Sequence, residues 1–131
     1  MRNSYNKPEL KSLYYEEEVE KIPSLDGKTI AITGTTSGTG FIAAKTIAEK
    51  GARTLLLNRK TNRSNKSYDL LKEHSPKANF VDIECDLQSF NSVKKAAKTI
   101  TDLCKDGLDV ICNNAGVMAL KDQATIDGFD I

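Results

Sequence analysis

The chain has 131 residues, 39% of them hydrophobic and 28% charged, and its 19 basic and 18 acidic side chains leave a net charge of +1. That balance suits one globular domain with enough apolar material for a core. It excludes a nucleic-acid binder, because lysines and arginines are interleaved with carboxylates rather than gathered into a basic stripe, and no run reaches the roughly 18 apolar residues of a membrane span.

At the N-terminus, residues 1–13 lack the apolar centre of a secretory signal, so a cytoplasmic chain is expected. Residues 1–24 read as a polar extension outside the core, either a short helix or nothing ordered, with Tyr14 and Tyr15 beside Glu16, Glu17 and Glu18. From Asp26 onward strands and helices alternate. A strand is predicted over residues 28–33, a helix over 38–50 ending at Gly51, and a second strand over 54–58. A helix near 67–74 is ended by Pro76 and followed by a strand near 79–85. The helix over 91–104 carries Val93, Ala96, Ala97, Ile100, Leu103 and Cys104 at the spacing of one buried face, and residues 108–112 form a fourth strand. Cys85, Cys104 and Cys112 have no metal-ligand spacing and read as small buried hydrophobes, with His74 as a solvated residue at a helix end.

Short apolar strands separated by helices imply parallel pairing, since each crossover must pass over the sheet. The expected fold is therefore α/β, a partial doubly wound parallel sheet of about four strands flanked by helices, with residues 25–131 as its body.

The chemistry sits at the strand exits. Thr33-Gly34-Thr35-Thr36-Ser37-Gly38-Thr39-Gly40 joins the first strand to the first core helix. Glycine spacing of this kind lets the backbone turn and come close to a phosphate, which the unpaired amides of the helix start face. At the end of the second strand, where a carboxylate would hold a free ribose 2′-hydroxyl, the chain carries Asn58-Arg59-Lys60. A guanidinium there favours a 2′-phosphate through a charge-assisted hydrogen bond. Asp86-Leu87 and Asn113-Asn114-Ala115-Gly116 close the third and fourth strands, at the strand ends where doubly wound sheets bind ligands.

Taken together, Thr33-Gly34-x-x-x-Gly38-x-Gly40, Asn58-Arg59, Asp86-Leu87 and Asn113-Asn114-Ala115-Gly116 resemble the N-terminal half of the short-chain dehydrogenase/reductase family over residues 25–131. The run Thr125-Ile126-Asp127-Gly128-Phe129-Asp130 is similar to retinol-dehydrogenase-like and protochlorophyllide-reductase-like members. The resemblance implies a dinucleotide cofactor, NADP rather than NAD. Gly34, Thr36, Ser37, Gly38, Thr39 and Gly40 would cradle its phosphates, Arg59 beside Asn58 its 2′-phosphate, Asp86 and Leu87 its adenine. Asn113, Asn114, Ala115 and Gly116 would line its ribose side and brace the sheet. Thr39 and Thr36 depart from the residues common at those places in the family.

The resemblance also implies hydride transfer to or from a small carbonyl or alcohol, with the family's catalytic Asn, Ser, Tyr and Lys expected beyond Ile131. No catalytic residue and no metal ligand is assigned within the chain. Tyr68 and Lys72 match Y-x-x-x-K, but they fall between the second and third strands and read as a surface pair. Two functions are expected from this: an NADP-binding half that is inactive alone, or a non-catalytic nucleotide-binding module that forms a homodimer through the apolar edge of the fourth strand, 109–112.

Overall fold

The computed structural model describes residues 12–131. Its elements run α1 (Tyr15–Lys21), β1 (Thr29–Thr33), α2 (Gly38–Glu49), β2 (Arg53–Asn58), α3 (Asn62–His74), β3 (Phe80–Glu84), α4 (Phe90–Leu103) and β4 (Val110–Cys112). The four strands make one sheet in the order β3-β2-β1-β4, and every pair is parallel. Ile32 stands opposite Leu56 on one side and Cys112 on the other. The expected partial doubly wound sheet is thus present, with the reversal of strand order between β1 and β4.

Alternation along the central strands sends side chains to two faces. Ile30, Ile32 and Leu56 meet Ala44, Ala48 and Leu71 of α2 and α3 on one face. Ala31, Leu55, Leu57 and Ile83 meet Ala96 of α4 on the other. Consecutive residues of β1 and β2 are buried for this reason, as a sheet covered on both sides requires. At the open end of the sheet, the Asp109 carboxylate accepts the Thr29 amide at 2.8 Å and the Lys28 ammonium at 2.9 Å, and both contacts hold its pKa below the usual carboxylate value.

Within the expected N-terminal extension, the described residues include one short helix, α1. α1 has Glu16, Glu17 and Glu18 in its first turn and Lys21 in its last, the arrangement that the helix dipole favours. No residue of α1 is buried, and the Tyr15 hydroxyl lies 2.6 Å from Thr46 Oγ1 of α2. The rest of the expected extension, residues 1–11, lies outside the described residues.

Three local expectations need correction. α3 begins at Asn62 rather than near 67, because a capping box links Thr61 and Ser64 and starts the helix five residues earlier. On α4, Ala97 and Leu103 are exposed, so the buried stripe narrows to Val93, Ala96, Ile100 and Cys104. Of the cysteines, Cys85 is buried and Cys104 half-buried, but Cys112 is exposed, because β4 is covered on neither face.

Beyond β4 the chain runs without further helix to Ile131 and folds back on α4. Asp127 Oδ2 accepts the Phe90 amide at 2.6 Å, which satisfies a donor at the start of α4, and the Phe90 and Phe129 rings lie 5.4 Å apart.

Candidate functional site

The glycine-rich turn is held by side chains from three other segments. Thr35 is fully buried, and all its polar groups are engaged. Its amide donates to Asn58 Oδ1 at 2.8 Å, its hydroxyl accepts from Asn58 Nδ2 at 2.8 Å, and its carbonyl accepts from Ser67 Oγ at 3.1 Å. From the other side, Asn114 Nδ2 donates to the carbonyls of Thr33 and Gly34, at 3.0 and 3.1 Å, while the Ala115 amide donates to Thr33 Oγ1. Gly34 has φ +72°, and a Cβ there would stand 2.9 Å from Ala115 Cα. The turn is therefore set by β2, α3 and the segment after β4 together.

Past this anchored stretch, the backbone from Thr36 to Gly40 enters α2, where the first amides have no intrahelical carbonyl to bond. Ser37 occupies the N-cap position, yet its hydroxyl bonds no backbone amide. These amides border a cleft of about 630 Å³ at the C-terminal ends of the strands, within the size range of small-molecule and cofactor sites.

Most residues predicted for the site line this cleft. The glycine turn supplies Gly34, Thr36, Ser37, Thr39 and Gly40; the end of β2 supplies Asn58 and Arg59. Asp86 and Leu87 come from the end of β3, and Asn114, Ala115 and Gly116 from the segment after β4. Gly38 and Asn113 are not in the lining. Both polar ends of the Asn58 side chain bond Thr35, and the Asn114 side chain bonds the turn, so each carboxamide positions backbone around the cleft.

Thr61, Arg63 and Gln88 also line the cleft, and the sequence reading did not include them. Arg63 donates from Nη2 to Ser37 Oγ at 2.5 Å. The signal available for it was the T-x-x-S spacing of Thr61 and Ser64, which places Arg63 in the first turn of α3.

The charge of the cleft is uneven. Arg59 and Arg63 take part in no ion pair among the described residues. Asp86, at the end of the neighbouring strand β3, accepts the Gln88 amide at 2.9 Å. The Cys85 thiol is pushed up in pKa, chiefly by burial and then by the nearby Asp86 carboxylate, so it stays protonated at neutral pH. Open amides at a helix start, two guanidiniums and a half-exposed apolar wall at Leu87 fit a ligand with phosphates and a flat base. Tyr68 and Lys72 are outside this cleft. Tyr68 packs on the α2–α3 core, and Lys72 Nζ bonds the Ala78 carbonyl at 3.2 Å.

A parallel sheet with a glycine-rich turn at its switch point is the frame of the doubly wound α/β domains. The family model for short chain dehydrogenases matches residues 28–130, and the chain belongs to that oxidoreductase family. It is 32% identical over 119 residues to a short chain dehydrogenase/reductase of Gibberella zeae, a match covering 88% of this chain and 34% of that protein. It is 34% identical to a chloroplastic short-chain dehydrogenase of Brassica napus, over 82% of this chain and 34% of that protein. A crystal structure of an uncharacterized protein from Mycobacterium paratuberculosis superimposes with a TM-score of 0.72 at 31% identity, over 86% of this chain and 38% of that one. The chain spans about a third of the length of the curated relatives it matches.

Proposed function

We propose that residues 25–131 are the NADP-binding half of an oxidoreductase that moves a hydride between the nicotinamide and a small carbonyl or alcohol. The single observation that carries the NADP reading is the corner of the cleft at the end of β2, where Arg59 stands without a carboxylate partner among the described residues. The open amides from Thr36 to Gly40 hold the diphosphate, Asp86 and Leu87 border the adenine, and Ala115 and Gly116 face the ribose side. NADP supplies the hydride chemistry when bound; the residues of this chain bind and orient it. The compartment we assign is the cytoplasm, in keeping with three free thiols.

Exchanging Arg59 for aspartate tests the cofactor. The guanidinium bond to a 2′-phosphate contributes about 1.5–3 kcal/mol, so Arg59→Asp should reduce the preference for NADPH over NADH by one to two decades, read by fluorescence titration of both. An unchanged ratio removes Arg59 from the site.

A second reading has one observation in its favour. Among the described residues β4 pairs with β1 alone, and Val110 and Ile111 on it are 47% and 55% exposed. An apolar parallel edge of this kind accepts another strand, and a second copy of the chain is one source of it. Size-exclusion chromatography with light scattering should then give a dimer that Ile111→Lys converts to monomer. A monomeric parent chain would rule the dimer out.

A further inference from the structure

We propose that Arg63 is a second specificity-determining residue of the cleft: with Arg59 it grips the phosphate on the adenosine ribose, and Ser37 Oγ is where its guanidinium rests when no phosphate is there. The inference builds on the NADP reading and extends it to a residue on a different element.

Three features of Arg63 point this way. It lines the cleft from the first turn of α3, and among the described residues its guanidinium meets no carboxylate. Its hydrogen bond is to a neutral hydroxyl, Ser37 Oγ. A guanidinium carries five donors, so most of its capacity is unspent on that contact. Ser37 for its part caps no amide of α2 although it holds the N-cap position; its hydroxyl serves the arginine instead. Finally, α3 has no acidic residue in its first turn and carries a cation there, at the positive end of the helix dipole. A cation at that end is electrostatically misplaced until an anion joins it.

The chemistry of the ligand matches. A phosphate monoester carries a charge of about −1.5 to −2 at neutral pH, which one guanidinium leaves partly uncompensated and two balance. Arg59 approaches from the end of β2 and Arg63 from the helix that follows, so the phosphate would be held from two elements.

A plain strut is the competing role, in which Arg63 only steadies the glycine turn through Ser37. Titrating the protein with 2′,5′-ADP and with 5′-AMP separates the two, since these probes differ in the 2′-phosphate alone. Arg63→Gln should weaken 2′,5′-ADP by about tenfold or more and leave 5′-AMP within twofold, Arg63→Lys should restore part of the loss, and Ser37→Ala should keep the discrimination. Equal weakening of both probes by Arg63→Gln would make it a strut and overturn the proposal. No effect of Arg63→Gln where Arg59→Asp does abolish discrimination overturns it too, with the NADP reading intact. A parent protein that binds both probes equally would defeat the NADP reading, and this proposal with it.

Discussion

Replacing Asn58 with alanine is expected to lower the unfolding free energy by about 2–4 kcal/mol, measured by urea denaturation. The side chain is 7% exposed, and both its polar ends are spent on Thr35, which is itself fully buried. Alanine leaves the Thr35 amide without an acceptor, and an unsatisfied buried donor costs about 1–3 kcal/mol; the space left by the carboxamide adds to that. The Thr35 hydroxyl turns to another partner more easily than the amide does, which is why the expected cost is below twice the single figure. Asn58→Asp divides stability from binding. Its carboxylate still accepts the Thr35 amide, and the hydroxyl rotates to donate, so much of the stability returns. The added negative charge, however, faces the cleft beside Arg59, and binding of an anionic dinucleotide should fall more than in the alanine variant. If Asn58→Ala unfolds within 0.5 kcal/mol of the parent, the turn is held by Ser67 and Asn114 without it.

Local pattern was enough to find every core element of the sheet, and the reasons are visible in particular residues. β1 and β2 each carry three consecutive apolar residues, Ile30–Ile32 and Leu55–Leu57, because both faces of each are covered. β4 is shorter than the strand expected over 108–112, since its pairing with β1 extends over three residues, Val110 to Cys112. The front of α3 was not legible from hydrophobic period: Asn62-Arg63-Ser64-Asn65 has none, and the buried residues Ser64 and Ser67 are serines. Ser67 is buried because its hydroxyl meets the Thr35 carbonyl, a contact 32 residues away along the chain. The same holds for the site. Gly34, Gly40 and Arg59 announce themselves by spacing and charge, whereas the tasks of Asn58 and Asn114 depend on hydrogen bonds across 23 and 80 or more residues. Such contacts exist only once the sheet has brought the ends of β1, β2 and β4 together, and Arg63 joined the cleft by the same route.

Gly40→Ala should be the most damaging single methyl group that can be added to this turn. Gly40 has no unusual backbone angle; what forbids a side chain is space, because its Cβ would collide with the Gly34 carbonyl and with Asn114 Nδ2. Neither neighbour is free to retreat, since Asn114 Nδ2 bonds that same carbonyl at 3.1 Å and the Thr33 carbonyl at 3.0 Å. Overpacking typically costs about 1–3 kcal/mol, and backbone pinned on both sides puts this case at or above the upper end, about 3 kcal/mol. The α2 start would move away from β1, the amides from Thr36 to Gly40 would lose their common aim, and dinucleotide binding should drop at least about a hundredfold, the order expected for comparable energies. Gly38→Ala is the informative contrast: φ is +60° there, but a Cβ meets nothing within 4 Å, so the cost is the left-handed backbone alone, about 1–2 kcal/mol. Coupling to Asn114 is the sharper test. Because Asn114 supplies half of the collision, the double variant Gly40→Ala with Asn114→Ala should be less destabilised than the sum of the single ones, by about 1 kcal/mol or more. Strict additivity would show that the two residues do not meet, and that the turn is set some other way than by the carboxamide seated on it.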